Sequence, residues 1–178
     1  MKLFSRQKTL LFLVDEHKAY MEEVALEFHD NTKYEIVHCY SVDRLKDIYD
    51  KGQYFRYHTI IAVISANFNG DRSARIAELK QNIKDIQWMN RNIELIVLLP
   101  EFSEKLQNDL LSLGCYAVFR RNENAFLRIN NHVRGIISKR VLMREKKYTR
   151  ITYLALLVYV ILLLITGAIF IFMEGCSV

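Results

Sequence analysis

The chain has 178 residues, a formal net charge of +5 and 51% hydrophobic residues. One segment, KRVLMREKKYTR at 139–150, contains six basic residues and one acidic residue, so it accounts for the entire net charge. The remaining sequence is electrically balanced, which argues against a nucleic-acid-binding domain, because such domains spread basic residues over a binding face. Three scattered cysteines without a CxxC pair exclude a disulfide framework and give no metal-binding pattern.

Between residues 9 and 140, short apolar runs alternate five times with amphipathic stretches. In chain order these segments are TLLFLV, KAYMEEVALEFH, EIVHCY, VDRLKDIYDKG, TIIAVIS, DRSARIAELKQNIKDIQW, IELIVLL, EFSEKLQNDLLSLG, YAVF and a long helix from about Asn124. Strands that are apolar throughout are typical of a parallel sheet covered on both faces. The pattern therefore predicts an α/β fold with a doubly wound five-stranded parallel sheet, in one domain of residues 1–140.

Glycine and proline mark the predicted boundaries. Gly52 is expected to close the second helix and Gly114 the fourth, and Pro100 lies where the fourth strand gives way to a helix. The fifth helix has no glycine or proline between Gly135 and residue 150. We therefore expect one nearly continuous helix from the domain into the following apolar segment.

Residues 151–173 contain no charged side chain and are long enough, as a helix, to cross a hydrocarbon core of about 30 Å. The basic segment 141–150 before this predicted transmembrane helix places the large domain in the cytosol, because positive charge stays on the cytoplasmic side. The apolar run Thr9–Val14 is interrupted at Asp15, so no signal peptide is predicted. We expect a single-pass, tail-anchored protein of the cytoplasmic membrane, a bacterial inner membrane, with a short external tail at 174–178 and attraction to anionic lipid.

In doubly wound sheets the chemistry lies at the carboxyl ends of the strands. The first strand is followed by two acids, Asp15 and Glu16, and the fifth strand ends in a basic pair that includes Arg121. The sequence has no glycine-rich phosphate loop, HExxH motif or GxSxG elbow. No nucleophile and base are paired at a recognisable spacing, so an enzyme is not predicted.

These features resemble the receiver domains of bacterial response regulators over roughly residues 8–140. The acidic pair Asp15 and Glu16 is similar to the receiver pair that holds magnesium through oxygen ligands. The stretch LLSLGCYAVFRR looks like the receiver segment in which a helix ends at glycine and the next strand ends in a basic residue, so that Arg121 matches the receiver lysine. The resemblance implies a signalling module with a magnesium-binding pocket.

The sequence departs from the receiver pattern where the phosphoryl group would be held. The third strand should end in the phosphoacceptor aspartate, yet it offers Val63, Ile64 and Ser65. The fourth strand should end in a threonine or serine, yet Leu98, Leu99 and Pro100 occupy that end. Without the acceptor carboxylate no acyl phosphate can form, so we predict a degenerate receiver, or pseudo-receiver.

Two functions fit this sequence. The first is a non-catalytic, membrane-anchored module that acts by protein–protein interaction in a signalling or membrane-assembly complex. The alternative is a ligand sensor, in which a small molecule such as a nucleotide binds at Asp15, Glu16, Ser65 and Arg121 and drives oligomerisation of the anchor. Asp15 and Glu16 are either magnesium ligands or a cap of the first helix. Expected partners are membrane lipid, an unidentified protein or a second copy, with no nucleic acid.

Overall fold

The computed structural model describes residues 8–16, 18–52, 54, 57, 59–101, 103–122 and 124–175. The chain divides into two compact units, Met1–Ile137 and Ser138–Val178. Strands and helices alternate along the chain as β1 (Thr9–Val14), α1 (Lys18–Leu26), β2 (Tyr34–Cys39), α2 (Val42–Lys51), β3 (Thr59–Ser65), α3 (Arg72–Met89), β4 (Ile93–Leu99), α4 (Glu104–Ser112), β5 (Cys115–Arg120) and α5 (Ala125–Gly175).

The five strands form one parallel sheet in the order β2-β1-β3-β4-β5. The register pairs Val14 with Ile64 and Ser65 with Leu98, so the carboxyl ends of β1, β3 and β4 lie side by side. Strand order reverses between β1 and β3, which is where open α/β sheets form their binding crevice. The predicted doubly wound five-stranded parallel sheet is confirmed.

Apolar strands form this sheet because both of its faces are covered by helices. On one face the buried helix residues come from α2, α3 and α4, and they are Val42, Leu45, Leu79, Ile83, Ile86, Leu106 and Leu110. On the other face they come from α1 and α5, and they are Met21, Val24, Ala125, Ile129, Val133 and Ile136. Alternate residues of β1, β3 and β4 point into these two clusters, so these strands are almost entirely buried, and their partly exposed residues are Ser65 and Glu94.

Side-chain caps and glycines set the helix boundaries. The Ser41 hydroxyl caps α2 by accepting a hydrogen bond from the Arg44 backbone N–H, with 3.2 Å between the atoms. Gly114 follows α4 with φ +99°, a conformation that favours glycine. Gly52 follows α2 with a negative φ, and glycine is needed there because a Cβ would overlap the Tyr54 ring. Both predicted glycine boundaries are confirmed, although for different physical reasons.

Helix α1 is shorter than the pattern KAYMEEVALEFH predicts, because it ends at Leu26. The Phe28 N–H donates to the Ala25 carbonyl at 2.9 Å, an i to i−3 bond that tightens the chain into a turn. Phe28 is thereby turned into the core, where it is 1% exposed. Burial of this side chain therefore outweighs continuation of the helix.

Two ion pairs join α3 to its neighbours. Lys46 Nζ of α2 lies 2.7 Å from Asp85 Oδ2, and Lys80 Nζ lies 2.7 Å from Asp109 Oδ2 of α4. The hydrogen bonds from Lys46 and Gln81 hold the pKa of Asp85 below its ordinary value. These contacts favour ionised carboxylates at neutral pH.

Trp88, the only tryptophan of the chain, lies in the last turn of α3 and is 91% exposed. Its neighbours on the inner side of the helix, Ile83 and Ile86, are fully buried. The indole therefore belongs to the outer face of the helix and takes no part in the core.

Helix α5 contributes to both units. Its first turns supply the buried stripe of the first unit, and its residues from 145 to 167 in the second unit are exposed. Among the described residues, this helix is long and apolar enough to cross a membrane. The predicted division into 141–150 and 151–173 stays a prediction, and residues 176–178 of the predicted tail lie outside the described residues.

Candidate functional site

Three of the four predicted site residues meet at the carboxyl edge of the sheet. Asp15 directly follows β1, and its N–H donates to the Cys39 carbonyl at 3.2 Å. Arg121 directly follows β5, and its N–H donates to the Leu99 carbonyl at 2.8 Å. Ser65 ends β3 between them. These bonds continue the sheet pattern beyond β1 and β5, so the backbone of both charged residues is fixed.

The Arg121 guanidinium bridges the other two side chains. Its Nη1 lies 3.5 Å from Asp15 Oδ2 and donates to Ser65 Oγ at 3.4 Å. The Asp15 residue is 5% exposed, so its carboxylate lies in a region of low effective dielectric constant. A cation at this distance offsets part of the cost of burying that negative charge.

The aromatic ring of Tyr20 in α1 packs against the Arg121 guanidinium. The Arg121 Cζ atom lies 3.8 Å from the centre of the Tyr20 ring, which is a close cation–π contact. The Tyr20 ring in turn packs on Phe126 of α5, with 5.1 Å between ring centres. Burial raises the pKa of the Tyr20 hydroxyl above its ordinary value, although the Arg121 charge opposes this shift. Arg121 is thereby held between a carboxylate and an aromatic ring.

Glu16, the fourth predicted residue, is directed elsewhere. Its side chain is exposed, and its Oε2 accepts a hydrogen bond from Asn67 Nδ2 at 3.0 Å. Asn67 Oδ1 also accepts from the Asn69 N–H at 3.1 Å, which fixes the loop after β3. The acidic pair is therefore divided, with Asp15 facing Arg121 and Glu16 facing Asn67.

Asp15 and Glu16 are the residues that would hold a magnesium ion, because their oxygen atoms are the hard ligands that this ion prefers. An ion between them would have to displace the Asn67 amide from Glu16 and share Asp15 with Arg121. The part of the chain that the structure describes contains no group of three or more His, Cys, Asp or Glu side chains arranged for a metal. Both expectations for Asp15 and Glu16, magnesium ligands or a vestigial pair that caps the first helix, stay predictions.

The end of β3 is where the resemblance to receiver domains would place a phosphoacceptor aspartate. Ser65 ends β3, and the next residue, Ala66, is buried and donates its N–H to the Leu98 carbonyl at 2.8 Å. The end of β4 is occupied by the buried side chains of Leu98 and Leu99. Neither strand therefore ends in a carboxylate, and the only hydroxyl at these ends is that of Ser65.

A cavity of about 100 Å³ lies beside this cluster, at the ends of β1 and β3. Its polar lining includes Asp15, Glu16, Ser65, Asn67, Arg75 and Asn82, and Arg121 is not part of it. Sites for drug-sized ligands usually have about 300–1,000 Å³. The cavity is therefore too small for a nucleotide, one of the small molecules considered for the alternative function.

Sequence reasoning missed Tyr20 and Asn67. Tyr20 could have been found as the aromatic residue that the first turns of α1 place nearest to the end of β1. Asn67 is one of several polar residues in the loop after β3, and nothing in the sequence distinguishes it from its neighbour Asn69.

No protein-family profile matches the sequence, and no curated protein matches it closely enough to count as a relative. Solved structures do match. A response-regulator receiver domain from Methanospirillum hungatei has a TM-score of 0.58 at 14% identity, covering 77% of this chain and 98% of its own. A chemotaxis protein from Vibrio cholerae has a TM-score of 0.56 at 11% identity, covering 72% of this chain and 98% of its own.

A third structure, from Burkholderia pseudomallei, is described as that of a pilus assembly-related protein. It has a TM-score of 0.51 at 14% identity, covering 72% of this chain and 91% of its own. Identities at this level show a common fold and leave function open. The described sheet and its helices therefore have the receiver-like α/β fold.

Proposed function

We propose that this protein is a non-catalytic, membrane-anchored receiver-like module that acts by protein contacts in a signalling or membrane-assembly complex. One observation carries the proposal: at the end of β3, opposite Asp15, the chain has Ser65 followed by the buried Ala66 instead of a carboxylate. An aspartyl phosphate cannot form at either residue. The receiver-like fold supports a role in signalling, and the likeness to a pilus assembly-related protein fits a role in assembly.

The charges around Ser65 also argue against its use as a nucleophile. A serine hydroxyl needs a neighbouring base to take its proton. The hydrogen-bond partner that the structure gives for Ser65 Oγ is the Arg121 guanidinium, which is a donor and stays protonated. In this contact the Ser65 oxygen accepts a hydrogen bond from a cation. The site therefore favours a structural role for Ser65 over a nucleophilic one.

A phosphoryl mimic tests the non-catalytic part of the proposal. Acetyl phosphate or beryllofluoride, added with magnesium, should leave the melting temperature of the protein unchanged. A ligand at one hundred times its Kd would stabilise the fold by about 2.7 kcal/mol, which corresponds to several degrees in a domain of this size. A shift of that size that is lost in Asp15→Asn would contradict the proposal. A shift with magnesium alone would reveal a metal site without a phosphoacceptor.

Affinity purification tests the protein-contact part. The intact protein, isolated from native membranes in mild detergent, should retain a partner that is absent when only residues 138–178 are expressed. Recovery of the same proteins with both chains would show that the receiver-like unit does not select the partner.

We propose a single pass through the cytoplasmic membrane, with the receiver-like unit in the cytosol. Burial raises the pKa of Cys39 to about 11 and that of Cys115 to about 12, so both thiols should react slowly in the folded protein. Cys176, in the predicted external tail, should react in intact cells with a membrane-impermeant maleimide. Labelling of Cys176 only after permeabilisation would reverse the proposed orientation.

A further inference from the structure

The cavity at the ends of β1 and β3 combines an apolar floor with a charged and polar mouth. Five buried side chains form the floor, and they are Val14, Val42, Ile64, Ala66 and Leu79. The charged part of the lining consists of three carboxylates and one guanidinium, and these belong to Asp15, Glu16, Glu78 and Arg75. Negative charge therefore exceeds positive charge around the cavity.

Two of the three carboxylates already have a cationic partner. Arg75 Nη1 lies 3.2 Å from Glu78 Oε2, within one turn of α3. Arg121, which lies outside the cavity, has its Nη1 3.5 Å from Asp15 Oδ2. These two carboxylates are therefore compensated without any ligand.

Glu16 is the carboxylate of the lining that no cation among the described residues compensates. Its Oε2 accepts a hydrogen bond from the neutral amide of Asn67 at 3.0 Å. Asn82 of α3 also lines the cavity, and its side-chain amide has no hydrogen-bond partner within the described part of the chain. One uncompensated carboxylate and one amide oxygen are complementary to a group with a single positive charge and several N–H donors.

The size of the cavity restricts this group to a few atoms. A cavity of about 150 Å³ binds benzene, so one of about 100 Å³ holds a group of roughly four heavy atoms. The guanidinium group of arginine, with its one carbon and three nitrogen atoms, has this size. It is also more weakly hydrated than an ammonium group, so contact with the apolar floor costs less. Magnesium fits less well, because it requires octahedral oxygen ligands and the floor offers none.

The surroundings of the mouth favour an arginine side chain of another protein. Only the end group of a ligand fits the cavity, so the rest of the ligand must lie outside it. Tyr40, which is 61% exposed, and Phe68 also line the cavity, and guanidinium groups pack favourably on aromatic rings. Tyrosine and arginine are the residues that most often dominate the binding energy of protein interfaces.

We propose that this cavity binds the guanidinium group of an arginine side chain on a partner protein. This docking rests on the proposed protein-contact function, and it adds the chemical group of the partner that is recognised and the place where it binds. Glu16 forms the ion pair with the incoming arginine, and Asn82 accepts one of its N–H groups.

Titration of the intact protein in detergent micelles with methylguanidinium tests the site directly. The side-chain amide resonances of Asn67 and Asn82 should shift saturably at millimolar concentrations in heteronuclear NMR spectra. Those of Asn108, which is exposed on α4 and does not line the cavity, should stay in place. Methylurea is neutral and similar in shape, so it should cause no shift. Methylguanidinium that causes no shift, or methylurea or methylammonium that binds equally well, would overturn the proposal.

Two matched variants test the charge argument. Glu16→Gln keeps the size of an exposed side chain and removes its charge, so it should weaken methylguanidinium binding about tenfold. Glu104→Gln removes an exposed carboxylate at the start of α4, outside the cavity, and should leave the affinity unchanged. Equal affinities of the two variants would show that Glu16 does not hold the cation.

Capped and free arginine distinguish the two sources of a guanidinium group. N-acetyl-arginine methylamide presents the side chain as a protein does, so it should bind at least as tightly as free arginine. Much tighter binding of free arginine would identify a small-molecule sensor and overturn the docking of a partner.

Affinity purification from native membranes separates this docking from the proposed function. Glu16→Gln should lose the partner that the unaltered protein retains, and Glu104→Gln should keep it. A partner that both variants retain equally refutes the arginine docking and leaves the protein-contact function intact. An unaltered protein that retains no partner refutes that function, and the docking with it.

Discussion

Replacement of Arg121 by alanine should destabilise the receiver-like unit strongly, because it removes the cation that faces a buried carboxylate. Two unit charges 3.5 Å apart attract by about 5 kcal/mol at an effective dielectric constant of about 20. The Arg121 side chain is 31% exposed, so solvent screening reduces this figure to roughly 2 kcal/mol. Loss of the contact with the Tyr20 ring adds about 0.5–1 kcal/mol. The expected total is about 3 kcal/mol, or roughly 10 °C in melting temperature.

The assay is chemical and thermal unfolding of a chain that ends near Tyr148. Arg120→Ala is the matched control, because Arg120 is the exposed neighbour at the end of β5, and it should change stability by less than about 0.5 kcal/mol. Arg121→Lys keeps the charge but loses the planar stacking on Tyr20, so its cost should be intermediate.

A double-mutant cycle with Asp15→Asn then isolates the pairwise energy. The double variant should be more stable than the sum of the two single effects predicts, by about 1–3 kcal/mol. Strict additivity, or an Arg121→Ala variant as stable as Arg120→Ala, would refute the bridging role of Arg121.

The chain that ends near Tyr148 should itself stay soluble and melt cooperatively, because all described core residues precede Ser138; aggregation in gel filtration would contradict this. Gly114→Ala should cost about 1–2 kcal/mol in urea unfolding, since φ there is +99°. Gly70→Ala, at φ +90°, should cost less, because its added Cβ meets no neighbouring atom. The pKa of Asp85 is lower in the folded protein than in the unfolded chain, so Asp85 takes up a proton at a higher pH when the chain is unfolded. The stability that the Lys46–Asp85 ion pair contributes is therefore lost as the pH falls below about 4. Asp85→Asn should therefore flatten the acid limb of stability between pH 5 and pH 3.

The fold was predictable because β1, β3 and β4 are apolar over nearly their whole length. A parallel sheet with helices on both faces needs this pattern, and β1, β3 and β4 begin and end where the apolar runs do. The end of α1 was predicted three residues too late, because the turn that buries Phe28 depends on tertiary contacts. Local periodicity therefore predicts where the helices and strands lie, whereas the end of α1 is determined by tertiary packing.

The site was predictable only in part. Strand-end logic brings Asp15, Ser65 and Arg121 to the same edge, since parallel strands share that edge. The sequence does not show whether Asp15 or Glu16 faces Arg121, because the two residues are adjacent and the outcome depends on side-chain direction. The support of Arg121 by Tyr20 also depends on how α1 packs on the sheet.

The exposure of Trp88 determines how this protein can be studied optically. An indole that is 91% exposed already emits as it would in water, so its fluorescence should barely respond when the core unfolds. Core unfolding is better followed by circular dichroism, or by tyrosines such as Tyr49, which accepts a hydrogen bond from Asn90 at 2.5 Å. A partner that covers the outer face of α3 would remove water from the indole and shift its emission to shorter wavelength. Trp88 is thus a natural fluorescent probe at a single site. Its emission should report docking of a partner and should change little when the protein unfolds.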